Sequence, residues 1–316
     1  MSIFKAYFKD VRLKNKKIYV GTTGAEIDIN GVFLKEIWAV AKIFFYLKLR
    51  ALGTILKAKR PSNTLAFYPQ IPGPWFNIWQ VSRLAGLKTQ SDLETADYIM
   101  AFEDSTHAAF DRDFLKNTGK PLLNCDIHNI SKDYVAEVFL ETFEYPLSVD
   151  PTRHTGLAIR KSDANGTHDG VVIQCPIAPD ALIKGQSYQR LVDSTFTGKT
   201  SEDLRVAYVL GELALVYHKH KPLDDRFGTH YLSVDVLEPQ AVFSDQEIER
   251  IKTFCKKMKL DFGAVDVMRD KNDERIYIVD VNKTCMPVLS LNLKTQIASQ
   301  QKIADALIKG LAELSA

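Results

Sequence analysis

A chain of 316 residues with 46% apolar and 25% charged residues has ordinary globular composition, which excludes a disordered or fibrous protein. Cys125, Cys175, Cys255 and Cys285 are scattered with no Cys-x-x-Cys pair, so a disulfide scaffold is excluded, no zinc site is supported, and a reducing cytoplasm is expected. The net charge of +2 hides an asymmetry: residues 1–60 hold 13 Lys and Arg against four Asp and Glu, a basic end that calls for an anionic partner.

The first residues lack the apolar core of a secretory signal, and no run of 18 apolar residues suggests a membrane span. Residues 17–20 and 26–29 read as strands around the turn 21–24. Residues 32–56 carry a helical pattern. At about 100° per residue, Lys35, Lys42, Arg50, Lys57 and Arg60 fall in one arc of about 80°. Phe33, Leu34, Ile37, Trp38, Phe44, Phe45, Leu49, Leu52, Ile55 and Leu56 spread over the other side. Two readings stay open for residues 32–60: a core helix with snorkelling lysines, or a helix lying on an anionic membrane surface.

Strands over 64–68, 97–102 and 121–124 alternate with helices over 76–84 and 110–116, the pattern of a small parallel α/β unit. Ser131 reads as the cap of a helix over 133–144, ended by Pro146. Strands follow over 156–161 and 170–175, flanking the polar loop 162–169, and then over 186–192, 204–210 and 212–217. Ser244 and Glu247 form a capping box for a helix over 245–257. Residues 263–268 and 275–281 make a hairpin, and 293–314 a last helix.

That hairpin carries the strongest chemical signal. Asp266 lies within its first strand, and Asp280 and Asn282 lie two apart on the second, hence on one face. The turn folds Asp266 back toward them. Two carboxylates and an amide oxygen are hard donors suited to Mg²⁺ completed by phosphate oxygens, and two close carboxylates are costly unless a cation neutralises them.

The tract LDFGAVDVMRD…ERIYIVDVNKTCMP resembles the closing motif of the ATP-grasp superfamily, with Asp280 where most members have Glu. The tracts NISKDYVAEVFLETFEYPLSV, GLAIRKSDANGTHDGVVIQ, YQRLVDS and DLRVAYVLGELALVYHKHKPLDDRF are similar, in order, to the family's remaining segments. The resemblance implies a fold of mixed α/β and α+β character: an N-terminal α/β domain, a central lid and a C-terminal α+β catalytic domain. The expected division is a basic segment over 1–60, an α/β domain over 61–130, a lid over 131–192 and a catalytic domain over 193–316.

The resemblance also implies site roles. Lys132 and Lys161 would reach the phosphates of ATP under a loop containing Asn165, Gly166, Thr167 and His168. Gln189, Arg190 and Leu191 would line the adenine edge and Asp193 the ribose. Arg205 would contact the transferring phosphate, while Lys219, Lys221 and Arg226 would hold phosphate or substrate. Asp266, Asp280 and Asn282 would hold one or two Mg²⁺ ions. The implied activity is an ATP-dependent carboxylate–amine ligase working through an acyl phosphate on small-molecule substrates, and the basic, oily helix adds the expectation of a cell-envelope or lipid-linked substrate at the cytoplasmic membrane face. A hydroxyl kinase of the same fold and a non-catalytic nucleotide binder are the alternatives. Ala264, where dipeptide ligases of the family carry arginine, argues against that branch. No nucleic-acid motif accompanies the basic segment, and none is expected as a partner. The expected location is cytoplasmic, peripheral to the membrane if the basic helix binds it.

Overall fold

The computed structural model describes residues 11–14, 17–20, 26–56, 63–228 and 231–314. Lys57, Arg60 and the turn over 21–24 lie outside them. Two compact units emerge. Unit 1 comprises Met1–His128, Asp261–Gly263 and Lys283–Ala316, and unit 2 comprises Asn129–Leu260 and Ala264–Asn282.

In unit 1, β1 (Val11–Lys14), β2 (Lys17–Val20) and β3 (Glu26–Asp28) form an antiparallel sheet. The long helix α1 (Gly31–Leu56) follows, its first turn tied by the Phe33 amide donating to Asn30 Oδ1 at 3.0 Å. A parallel sheet then runs through β4 (Thr64–Pro69), β5 (Lys88–Gln90), β6 (Tyr98–Phe102) and β7 (Leu122–Leu123) in the order β5-β4-β6-β7. Leu65, Ala66, Phe67 and all of β6 are buried, as a parallel sheet covered on both faces requires. The helices α2 (Asn77–Leu84) and α3 (Arg112–Lys116) connect its strands. The parallel α/β reading therefore holds, with β5 as an addition: Lys-Thr-Gln carries no apolar signal.

Helix α1 meets neither sequence reading cleanly. Ala39, Ile43 and Leu47 are buried, and Phe44 stacks on Trp79 of α2 at 5.6 Å. On the opposite side Leu34, Ile37, Trp38, Phe45 and Leu49 are exposed within an arc of about 140° that also holds Lys42 and Lys48. The helix is thus apolar on two faces, one packed and one open. No helix among the described residues is long and apolar enough to cross a membrane.

Unit 2 begins with α4 (Lys132–Phe143), capped by Ser131 as expected, its side chain accepting from the Tyr134 amide. A three-stranded antiparallel sheet combines β8 (Gly156–Ser162), β9 (Val171–Cys175) and β10 (Gln186–Arg190) in the order β10-β8-β9. The larger sheet adds β11 (Thr195–Thr197), β12 (Thr200–Val209), β13 (Glu212–Pro222), β14 (Ser233–Leu237), β15 (Phe262–Arg269) and β16 (Ile276–Asn282), in the order β14-β13-β12-β15-β16 with β11 on β12. Strands β12 and β13 extend beyond the expected 204–210 and 212–217, because their polar ends alternate between two used faces. Helix α5 (Asp245–Lys257) has the expected capping box, and Arg269 pairs with its Glu247 at 2.7 Å. The last helix, α6 (Leu293–Leu314), belongs to unit 1 again and packs there on α2. The mixed α/β and α+β fold class is as expected.

Candidate functional site

The alternation of β12 and β13 builds the site. Asp203 pairs in register with Lys219, and Arg205 with Tyr217, so Asp203, Arg205, Lys219 and Lys221 share one face. On β15 and β16, Asp266 lies opposite Asp280 and Ala264 opposite Asn282. Between Asp266 and Val267 the register slips, leaving Val279 as the extra residue of a bulge. Its carbonyl accepts a hydrogen bond from Lys161 Nζ at 3.2 Å.

Arg205 clamps Asp266 through both oxygens, Nε and Nη2 each at 2.7 Å. Lys219 lies 3.2 Å from Asp203 and 3.6 Å from Asp266, and Lys221 lies 3.4 Å from Asp203. Lys132 Nζ donates to Asp280 Oδ1 at 2.7 Å and to Asn165 Oδ1 at 3.1 Å. Asn282 Nδ2 reaches Asp280 at 3.4 Å and Asp266 at 3.5 Å. The three candidate metal donors do converge, and Arg205, Lys219 and Lys132 supply the neutralising charge that the sequence assigned to a metal.

Burial works against ionised Asp266, but Arg205, Lys219 and Lys221 together outweigh it and hold the carboxyl far below the usual range. Lys219 is fully enclosed. Burial and Arg205 oppose its charge, and Asp203 and Asp266 outweigh them, raising its pKa. Lys161 behaves differently: burial pushes its amine down to about 8, against the pull of Asp280. Burial also lowers His168, and the cations Lys221, Arg205 and Lys132 lower it further.

The loop after β8 is tied to α4. The Asp163 carbonyl accepts from the Lys132 amide at 3.0 Å, and its carboxylate from the Asp133 amide at 2.9 Å. Gly166 and His168 both adopt left-handed backbone, φ 77° and 51°, and Thr167 donates to Asp169 at 2.9 Å. Loop amides and two lysines thus border one another.

The remaining candidates lie toward β10. Gln189 is buried and its Nε2 has no protein partner. The side chain of Arg190 is engaged away from any ligand role: it pairs with Asp270 at 3.0 Å and Asp273 at 3.3 Å, bonds the Tyr277 hydroxyl, and stacks on that ring. Leu191 is half-buried in the link after β10. Asp193 accepts from Thr195 Oγ1 at 2.6 Å, and Arg226 Nη2 donates to the Val192 carbonyl at 2.8 Å. Asp203 was missed by sequence reasoning, although Asp-x-Arg facing Lys-x-Lys across two strands was a readable signal.

These residues fit a divalent ion and a polyphosphate. Two carboxylates and an amide provide hard oxygen donors, and rotation of the Asn282 amide would turn its oxygen toward them. Asp203 Oδ1 and Gln189 Nε2 are buried without partners, polar groups that a ligand can satisfy.

Structure comparison finds similarity to solved structures. The ATP-grasp ligase PsnB complexed with a minimal precursor is 12% identical, with 78% of this chain and 98% of that chain covered and a TM-score of 0.49. The D-alanine–D-alanine ligase from Bacillus anthracis complexed with ATP is 12% identical over 79% of this chain and 96% of that chain, TM-score 0.47. A RimK domain ATP-grasp protein from Sphaerobacter thermophilus is 12% identical over 78% and 99%, TM-score 0.46. No protein-family model and no curated protein matches the sequence.

Proposed function

We propose that the protein is an ATP-dependent ligase that activates a carboxylate as an acyl phosphate and passes the acyl group to an amine. The observation that carries this reading is the convergence of Asp266, Asp280, Asn282, Arg205 and Lys219 of the larger sheet with Lys132 of α4 and Lys161 of β8. The division into a basic segment over 1–60, an α/β domain over 61–130, a lid over 131–192 and a catalytic domain over 193–316 belongs to the same proposal.

In this reading Asp266, Asp280 and Asn282 hold Mg²⁺, which supplies charge neutralisation on the phosphate oxygens. Lys132 and Lys161 bind the phosphates, and the loop with Gly166, Thr167 and His168 covers them and excludes water. Gln189, with the backbone of Arg190 and Leu191, borders the adenine, and Asp193 the ribose. Arg205 and Lys219 orient and stabilise the transferring group while Arg226 holds the substrate. Phosphoryl transfer asks for such positioning and electrostatics rather than a covalent group from the protein. The substrate carboxylate displaces ADP, and the amine then displaces phosphate and gives up a proton.

MgATP is expected to raise the melting temperature of the wild type, since only the folded state binds it. ATP without magnesium, or Asp280→Asn with both, is expected to give little shift. An equal shift without magnesium overturns the reading. Release of inorganic phosphate and ADP marks a ligase, and a phosphorylated acceptor transfers the assignment to a kinase.

The open face of α1 supports a membrane-facing role on a lipid-linked substrate. Trp38, Phe45 and Leu49 stand exposed beside Lys42 and Lys48, the pairing an anionic surface recruits. Flotation with anionic liposomes at low salt is expected to carry the wild type, and Trp38→Ala with Phe45→Ala less of it. Absence of any flotation removes this part.

A further inference from the structure

The strands that present Arg205 and Lys219 on one face present a second cluster on the other. Glu202 on β12 lies directly opposite His220 on β13, and His218 lies two residues along the same strand. Period-two alternation sends all three to the face that Asp203, Arg205 and Lys219 do not use. Among the described residues these three bring potential metal ligands together, with one donor atom from each within 4.8 Å of the others.

Their detailed geometry distinguishes them from a chance grouping. His218 Nε2 lies 2.8 Å from Glu202 Oε2. The two imidazole rings lie 4.3 Å apart, centre to centre. His220 Nδ1 bonds Ser233 Oγ of β14 at 3.0 Å, which fixes the ring and leaves Nε2 as its donor to a ligand. That Nε2 is buried and has no partner. An outer hydrogen bond on one ring nitrogen with the other turned to the metal is the usual arrangement of a ligating histidine. Phe196 of β11 covers the pair, 4.5 Å from the His220 ring and 5.8 Å from the His218 ring.

We propose that Glu202, His218 and His220 form a Zn²⁺ site on the reverse face of the β12–β13 pair. Two imidazoles and one carboxylate suit a borderline transition cation rather than Mg²⁺ or Ca²⁺. Donors around a tetrahedral zinc stand about 3.3 Å apart, so the His218–Glu202 hydrogen bond opens by about half an ångström to admit the ion. Water takes the fourth position. The ion joins β12 to β13 and stiffens the strands whose opposite side carries Arg205 and Lys219. The absence of a Cys-x-x-Cys pair does not bear on this site, whose ligands pair across two strands.

The test uses the full-length protein stripped with chelator and titrated with Zn²⁺ against a chromophoric chelator, in parallel with Co²⁺ read by its visible d–d bands. The wild type is expected to bind one Zn²⁺ per chain at sub-micromolar concentration, with a raised melting temperature that Mg²⁺ does not reproduce. His220→Gln and Glu202→Gln are expected to weaken binding at least about tenfold. Asp280→Asn, altered only at the nucleotide site, keeps it. Failure of the wild type to bind Zn²⁺ at micromolar concentration overturns the proposal whether or not the variants fold. So does binding that survives His220→Gln or is lost in Asp280→Asn.

Discussion

At the residue scale, Lys161 and Asp266 show how one site holds groups in opposite electrostatic states. The Lys161 amine loses its proton near pH 8 in the folded chain but keeps it to its ordinary 10.5 when unfolded. The unfolded state therefore binds more protons between those values, and stability rises as pH climbs from about 8 to 10.5. Lys161→Met is expected to flatten that rise in urea melts. A bound triphosphate returns the proton, so affinity for MgATP is expected to fall above pH 8, by up to about tenfold per pH unit. Calorimetric titration in buffers of different ionisation enthalpy reads the proton uptake directly. Asp266 is the converse case: Asp266→Ala leaves buried Arg205 without its bidentate carboxylate and Lys219 with Asp203 alone. Urea denaturation is expected to show a loss of about 3–5 kcal/mol, much more than removal of an exposed ion pair. The convergence of Asp266, Asp280 and Asn282 was legible because a strand's period is two. The contact of Lys161 with the Val279 carbonyl was not, because nothing in Ile-Val-Asp-Val marks the bulge that turns that carbonyl outward.

At the element scale, what could be read depended on whether an element buries a patterned face. The parallel strands β4 and β6, the capped helices α4 and α5 and the hairpin of β15 and β16 are patterned, and each was placed within a few residues. Strands β1, β5, β11 and β14 were missed: β5 is polar throughout, β14 is five residues with neither face fully buried, and β1 and β11 are only four and three residues long. The double cap of α4 was also hidden, since Asp163 reaches it from 30 residues away. Sequence reasoning supplied Ser131 alone. Because Asp163 joins the loop after β8 to the helix start, Asp163→Ala is expected to cost about 1 kcal/mol in thermal or urea melts. It is also expected to speed limited proteolysis within residues 163–169, whereas a change confined to the helix cap would leave cleavage there unaltered.

At the scale of the whole molecule, every candidate site residue from Lys132 to Asn282 belongs to unit 2, and unit 2 is almost one uninterrupted stretch of chain. Only Asp261–Gly263 leave it for unit 1. A fragment over 129–282 is therefore expected to fold and to show magnesium-dependent stabilisation by ATP. Nucleotide-induced protection from amide exchange, mapped on the full chain, is expected to concentrate in unit 2. The sequence conveyed the α/β start and α+β continuation. It did not convey this nesting, because contacts between residues 63–128 and 283–314 leave no local trace in either segment.

The nesting has a consequence for synthesis. Helix α6, which packs on α2, leaves the ribosome only after the stretch that holds unit 2, about 150 residues, has been made. At ordinary elongation rates that is a wait of roughly 8–30 s. During it, the earlier-made parallel sheet lacks one of its covering helices, while unit 2 is already complete. The older half of the nascent chain is thus the last to mature, and its unfinished apolar surface is where a chaperone would be needed.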